Sequence, residues 1–322
     1  MRYNLAALAL AGTLPFFAAA APAFAQDYPA KDVRVVVPWG AGGGTDAIVR
    51  KITTLAEGEL GGTMYVENVE GGASATGIME VMNAPDDGYT VGALTYDSVI
   101  TVPRQGLLKS YSLDKLTPIA RVTSEPDAVM VSKNAPFQTY EDMIAAAKEN
   151  PGGIRVGIQN IGSRTHLAML RLQELTGTEF DLIAYPGGAA PQKEALLSGE
   201  VDVVVTSLGD FAPLIQSGDA KGVVEFSTSR NPTYSDVPTT KEEGLDLQIG
   251  SFILLAVPEG TPDATVEKIT AAYEAAYESD EFQSWVSNIG VTPSWLAGDE
   301  ASAWVETTQA ELYKLMDEIE GK

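Results

Sequence analysis

Two segments of the chain follow the same plan: a β-branched run, a loop that contains glycine, and a stretch with helical periodicity. In the first, Val33–Val37 precedes a loop with four glycines at 40–46 and an amphipathic pattern over 47–60. The second spans 154–175 and has Gly162 in its loop. A strand that leads through a glycine loop into a helix is the unit from which α/β sheets are built. The repetition predicts two such units.

The rest of the chain extends this alternation and divides it into two domains. At 322 residues, the chain is longer than a single hydrophobic core usually serves. The strand pattern restarts near residue 128, and a late strand at 249–257 is followed by amphipathic helices to the end of the chain. We therefore predict a discontinuous domain 1 (26–127 plus 251–322) and an inserted domain 2 (128–250). Each is a mixed sheet flanked by helices, and hinge strands join them.

The first 25 residues have the composition of a cleaved export signal. Arg2 precedes an apolar run from Leu5 to Ala20, and Ala23-Phe24-Ala25 forms a small-x-small cleavage site. Glycine, threonine and proline interrupt the apolar run, which is too short for a membrane anchor. The expected location is the periplasm, after removal of residues 1–25.

Charge and composition exclude several classes of function. The chain carries 44 acidic and 21 basic side chains, a net charge of −23, so nucleic acid and anionic lipid are not expected partners. It has no cysteine, and His166 is its only histidine, so we expect no disulfide, no metal site and no cofactor. A single imidazole without an obvious acid partner favours binding over catalysis, and we assign no catalytic residue.

The first glycine loop predicts an anion site. Glycines after a strand let backbone N–H groups converge at the positive end of a helix, for which Thr45 or Asp46 is the expected N-cap. The spacing fits neither a dinucleotide fingerprint nor a P-loop. The alternative is a tight structural turn. The candidate ligand-binding residues of this loop are Trp39, Ala41, Gly42, Gly43, Thr45 and Asp46.

The loop before the second helix also places a glycine at a helix amino terminus, and it adds hydroxyl groups and a guanidinium that suit a carboxylate. Two helix amino termini would then face one cleft. The alternative is that a hydroxyl of this loop only caps the helix, and we interpret His166 as a packing or hydrogen-bonding residue. The candidate residues here are Gly162, Ser163, Arg164 and Thr165. Four more follow strand ends, where open α/β sheets bind ligands: Ser98, Tyr185, Thr206 and Ser207.

An ordered set of short motifs resembles the solute-binding receptors of tripartite tricarboxylate transporters, also called Bug receptors. The motifs run in the family's order through nearly the whole chain after residue 25. They are Tyr28-Pro29, Val33–Gly44 with Asp46, Val66–Asn68 with Gly71-Gly72, Pro85–Thr90, Leu116–Ile119, Gly162-Ser163 with His166–Ala168, Leu175–Gly177, Tyr185–Gly187, Leu197–Asp202 and Val257-Pro258.

The resemblance implies a two-domain periplasmic binding protein of the Venus-flytrap kind, type II-like, that closes on a small organic carboxylate. It also implies delivery to a membrane permease with one large and one small subunit. Family members hold a carboxylate at the first glycine loop and around Gly162 and Ser163. Pro186 stands where the family usually has lysine, and Val102–Gln105 replaces its usual Asn-Pro. The far end of the ligand is therefore expected to be recognised differently.

Two other functions are compatible with parts of the sequence. The same scaffold can report its ligand to a membrane sensor, and the sequence does not separate this from transport. A secreted hydrolase with His166 or Asp46 as base lacks a nucleophile elbow, a metal set and a cofactor loop. We expect a monomer. No residue selects among mono-, di-, tricarboxylate and aromatic acids, because all of them satisfy a helix amino terminus.

Overall fold

The computed structural model describes residues 28–319, so the predicted signal peptide at 1–25 lies outside the described part of the chain. The strands are β1 (Val33–Val37), β2 (Met64–Asn68), β3 (Thr90–Leu94), β4 (Leu116–Ser132), β5 (Arg155–Ile158), β6 (Asp181–Ala184), β7 (Val203–Ser207), β8 (Ala220–Glu225), β9 (Gly250–Pro258) and β10 (Pro293–Ala297). The helices are α1 (Gly44–Leu60), α2 (Ala75–Met82), α3 (Val102–Arg104), α4 (Tyr140–Glu149), α5 (Arg164–Thr176), α6 (Ala189–Ser198), α7 (Ala212–Gln216), α8 (Asp263–Glu278), α9 (Asp280–Asn288) and α10 (Gly298–Ile319).

The strands form two mixed sheets that share β4. In the first lobe the order is β2-β1-β3-β9-β4, with β10 also paired to β4. In the second lobe it is β6-β5-β7-β4, with β8 also paired to β4. Strands β1, β2 and β3 are parallel, as are β5, β6 and β7, whereas β9, β10, β8 and β4 form antiparallel pairs. The fold is the expected two-domain α/β architecture with mixed sheets.

Strand β4 passes from one lobe to the other and, with β9, forms the hinge. Its partner changes within one step, because Pro126 pairs with Gly250 of β9 and Asp127 pairs with Ser207 of β7. The two hinge strands approach closely at this point. A Cβ at Gly250 would lie 2.1 Å from the carbonyl oxygen of Glu125, which only glycine avoids. The domain boundaries at 127/128 and 250/251 remain predictions.

Helix α1 shows how the apolar pattern becomes packing. Ile48, Val49 and Ile52 are fully or almost fully buried along one face, against the sheet and α8. Burying such side chains contributes about 1.5–3 kcal/mol each. The helix ends at Gly61, which is left-handed with φ 77°, as helix C-caps commonly are.

Two local expectations are wrong. The N-cap of α1 is Gly43, with no side-chain cap, because the Asp46 carboxylate turns back to the N–H of Gly42 instead. The region after β9 is not all helical, because β10 lies between α9 and α10 and pairs with the first-lobe half of β4. This pairing across the chain overrides local propensity. No helix within residues 28–319 is both long and apolar enough to cross a membrane.

Candidate functional site

A polar cavity lies between the lobes at the hinge. Its walls come from the first turn of α1, the first turn of α6, the strand ends β3 and β7, and the hinge strands β4 and β9. Its volume is about 20 Å³, room for about one water molecule, so the lobes are closed on each other. The lining residues are Trp39, Gly43, Gly44, Thr45, Ile48, Thr95, Glu125, Gln159, Arg164, Gly187, Gly188, Ala189, Ser207, Asp210, Ser251 and Ile253.

A hydrogen bond to the Asp46 carboxylate holds the first glycine loop in place. This carboxylate is 5% exposed and accepts the N–H of Gly42 at 2.9 Å, which holds that glycine at φ 83°. It also accepts hydrogen bonds from Asn68 at 2.9 Å and from Arg50 at 2.8 Å. The carboxylate therefore faces the loop, while Gly43, Gly44 and Thr45 face the cavity.

Trp39 forms an apolar wall of the cavity. Its indole N–H donates to the hydroxyl of Thr95 at 3.1 Å, and its side chain is 7% exposed. The ring faces Gly188 of the second lobe, where a Cβ would lie 3.4 Å from the indole. The amino terminus of α6 is thereby placed opposite that of α1. Backbone N–H groups of two helix amino termini are the donors that an anion requires.

The loop before α5 is held by internal hydrogen bonds. Ser163 is the N-cap of α5 and accepts the N–H of His166 at 3.4 Å. Thr165 accepts the N–H of Gln159 at 3.0 Å, and His166 Nδ1 accepts the N–H of Gly162 at 3.0 Å. Burial lowers the pKa of His166, so the neutral acceptor form is favoured at neutral pH. The histidine thus acts as a hydrogen-bonding residue of this loop.

Arg164 is buried and already surrounded by acceptors. Its guanidinium contacts Asp127 at 2.9 Å, Gln159 at 2.7 Å and Asp97 at 3.6 Å. Burial raises the pKa of Asp127 to about 7, against the opposing charge of Arg164. Asp97 follows β3 in the first lobe and Arg164 begins α5 in the second, so this cluster joins the lobes.

Two further carboxyl groups line the cavity. Glu125, on β4, is 7% exposed, and burial together with the charge of Asp210 raises its pKa to about 8. Asp210 follows β7 and accepts a hydrogen bond from the Thr206 hydroxyl. Across the lobe interface it packs against Gly44, where a Cβ would lie 1.8 Å from its Oδ1. A side chain at position 44 would therefore require the Asp210 side chain to move in this closed arrangement.

The predicted site residues divide into lining and supporting groups. Those that line the cavity are Trp39, Gly43, Thr45, Arg164 and Ser207. Those outside its lining are Ala41, Gly42, Asp46, Ser98, Gly162, Ser163, Thr165, Tyr185 and Thr206. Ala41 and Gly42 lie exposed on the loop, Tyr185 packs over Gly157 of β5, and most of the others make the internal hydrogen bonds given above.

Sequence reasoning missed several lining residues. Gly187 and Gly188 were visible as a glycine pair after β6, but not as the start of a helix at the cavity. Asp210 lies three residues beyond Ser207, a spacing that could have drawn attention to it. The local sequence around Glu125 did not indicate a site, because only the pairing of β4 with β9 brings this residue to the hinge. Within residues 28–319, no three acidic or histidine side chains are grouped to hold a metal ion.

Comparison with known proteins identifies the family. The family model described as "Tripartite tricarboxylate transporter family receptor" matches residues 48–320. The solved periplasmic binding protein BugD is 27% identical, with a TM-score of 0.82 over 91% of this chain and 98% of its own. MatC of Rhodopseudomonas palustris, solved with bound malate, is 26% identical, with a TM-score of 0.80 over 91% and 100% of the two chains.

A second R. palustris protein, solved with adipate, is 26% identical, with a TM-score of 0.81 over 92% of this chain and 99% of its own. These similarities extend over more than nine-tenths of this chain. The family model alone covers well over half of the sequence. The chain belongs to the tripartite tricarboxylate transporter receptor family.

Proposed function

We propose that the protein is a periplasmic receptor that captures a small organic carboxylate between its lobes and delivers it to a membrane permease with one large and one small subunit. One observation carries the proposal: the amino termini of α1 and α6, which belong to different lobes, converge on one cavity at the hinge. A carboxylate there would contact both lobes at once. The malate and adipate bound in two similar proteins support this chemistry.

The proposed mechanism is closure about the hinge strands. The cavity of about 20 Å³ in this closed form is too small for any organic acid, so the solute would enter an open form and the lobes would close around it with a wider cavity than the one described here. Contacts made to both lobes would then favour closure, because a ligand shifts such an equilibrium only by its differential affinity for the two states. We assign direct contacts to Trp39, Gly43, Thr45 and Ser207, and a supporting role to Asp46.

The proposal includes location and processing. The sequence of residues 1–25 supports export and cleavage, which would leave the receptor free in the periplasm. The single histidine holds the α5 loop, which supports binding without turnover. We propose a monomer with domain 1 at 26–127 and 251–322 and domain 2 at 128–250.

The test combines binding with uptake. Isothermal titration with malate, adipate and a series of mono- and tricarboxylates should give saturable binding to at least one compound. Uptake of that compound, labelled, should fall when the receptor gene is deleted and recover when it is restored. Binding without any loss of uptake would argue for a sensory role, and the absence of binding to every carboxylate would contradict the receptor proposal.

A further inference from the structure

A second and larger cavity adjoins the hinge strands. Its volume is about 760 Å³, against about 20 Å³ for the cavity between the lobes described above. One of its walls is the middle of α10, and the other is the segment 226–232, which follows β8. The hinge strands form its floor at 124–126 and 250–252. We call this second cavity the rear groove.

The two cavities lie on opposite faces of the hinge strands. Successive side chains of a β-strand point to opposite faces. On β9, Ile253 lines the cavity between the lobes, whereas its neighbour Phe252 lines the rear groove. On β4, the Glu125 carboxyl lies beside the hydroxyl of Ser207, which lines the cavity between the lobes, whereas Pro126 lines only the rear groove. The hinge strands therefore separate the two cavities.

Each wall of the rear groove is attached to its own lobe. On α10, the indole of Trp304 lies 4.4 Å from the guanidinium of Arg121, which belongs to the first-lobe half of β4. On the opposite wall, the N–H of Phe226 donates to the carbonyl of Asp127 at 2.7 Å, where β4 enters the second lobe. In the part of the chain that the structure describes, no hydrogen bond or ion pair joins α10 to 226–232. The two walls can change their separation without breaking such a bond.

Rotation about the hinge changes the two cavities in opposite directions. When a ribbon of two strands bends toward one face, the space on that face narrows and the space on the other face widens. As the lobes close, α10 and the segment 226–232 therefore move apart, and as the lobes open they approach each other. The closed arrangement described here agrees with this geometry, because its small cavity between the lobes accompanies a wide rear groove.

We infer that the rear groove controls lobe closure: bulk that occupies the groove limits how far the lobes can open and so raises the affinity for the solute on the other face of the hinge. The inference rests on the proposed function, because it concerns closure on that solute. Apparent affinity rises with the fraction of molecules in the binding-competent state. Occupation of the groove changes this fraction without any contact with the solute.

Reversible labelling of the groove tests the inference, because the chain has no cysteine of its own. Thr308→Cys on α10 and Thr228→Cys on the opposite wall each introduce a single thiol within the groove lining. Benzyl methanethiosulfonate would attach a benzylthio group to this thiol in the folded protein, and a reductant would remove the group. Thr307→Cys is the matched control, because Thr307 is exposed and lies outside the groove lining. Circular dichroism would show that all three variants fold.

Two measurements follow the labelling. Titration calorimetry would use the carboxylate that binds most tightly to the unmodified protein. We expect labelling at position 308 and at position 228 to lower Kd about fivefold or more, and the reductant to restore it, whereas labelling at position 307 should leave Kd unchanged. Small-angle X-ray scattering without solute should show a smaller radius of gyration after labelling at 308 or 228, because the lobes can no longer open fully.

The outcomes separate the inference from the proposed function. If the unmodified protein binds a carboxylate but labelling at 308 and 228 leaves Kd unchanged or raises it, the inference is wrong while the receptor proposal stands. If no carboxylate binds to the unmodified protein, the proposed function fails, and scattering alone decides the inference. A radius of gyration that labelling at 308 and 228 does not reduce would then overturn it.

Discussion

Gly44 offers a direct test of lobe closure. It is the first residue of α1 in the first lobe, and it faces Asp210 of the second. A Cβ at position 44 would lie 1.8 Å from Oδ1 of Asp210 and 3.2 Å from its Cα. Alanine therefore fits the closed form only if the Asp210 side chain turns away and the lobes move slightly apart. The open form has no such contact, so Gly44→Ala should impair closure without unfolding either lobe.

The size of the effect follows from the contacts that are lost. Turning Asp210 away breaks its hydrogen bond from Thr206, and a bond to a charged acceptor contributes about 1.5–3 kcal/mol. This cost applies to the closed form alone. A penalty of about 2 kcal/mol on the binding-competent state corresponds to about a 30-fold rise in Kd.

The matched control is Gly58→Ala in the same helix, where an added Cβ would meet nothing within 4 Å. This change should stabilise the fold by about 0.8–1 kcal/mol and leave Kd unaltered. Titration calorimetry with a carboxylate that binds would measure both variants, and small-angle X-ray scattering would report whether the saturating ligand still compacts the protein. If Gly44→Ala binds as tightly as Gly58→Ala, the ligand-bound form does not keep the contact between Gly44 and Asp210.

Three further changes test separate parts of the structure. Asp46→Ala removes the carboxylate that accepts the N–H of Gly42, so titration calorimetry should show Kd raised about tenfold. Unaltered affinity would exclude a role for this hydrogen bond in ligand binding. Because the pKa of Glu125 is raised from 4.5 to about 8, the folded state binds more protons than the unfolded state between these values, and stability falls as pH rises through that range. Denaturation at several pH values should show a shallower decline for Glu125→Gln, by up to about 1.4 kcal/mol per pH unit, and identical slopes would contradict the assignment. Gly250→Ala would place a Cβ 2.1 Å from the Glu125 carbonyl oxygen, so the free energy of unfolding should fall by about 1–3 kcal/mol or more and Tm should drop. A Tm equal to wild type would show that the hinge strands are not so close.

Local pattern was enough to predict most of the elements that build the lobes. The run Val33–Val37 is β1, and the helical pattern after the glycine loop is α1. Both depend on residues close in sequence, where β-branched runs and apolar periodicity are informative. By contrast, β10 was missed because Pro293–Ala297 becomes a strand only through its partner β4, more than a hundred residues earlier.

The site was less predictable, for the same reason. The glycine loop predicted a helix amino terminus at the site, since that signal is local, and Gly43, Gly44 and Thr45 line the cavity. The acidic character of the cavity did not appear, because Glu125 lies on β4 and Asp210 follows β7, and the two meet only when β4 pairs with β7. Arg164 was expected to be available to the ligand, yet its engagement by Asp97 and Asp127 depends on three separate elements.

The central claim is that the cavity between the lobes binds small organic carboxylates. A thermal-shift screen of the protein without residues 1–25 against carboxylates, amino acids, sugars and phosphate tests it most directly. A ligand at 100 times its Kd should stabilise the fold by about 2.7 kcal/mol. We predict a rise in Tm confined to compounds that carry a carboxylate. A rise with sugars or phosphate, and none with any carboxylate, would contradict it.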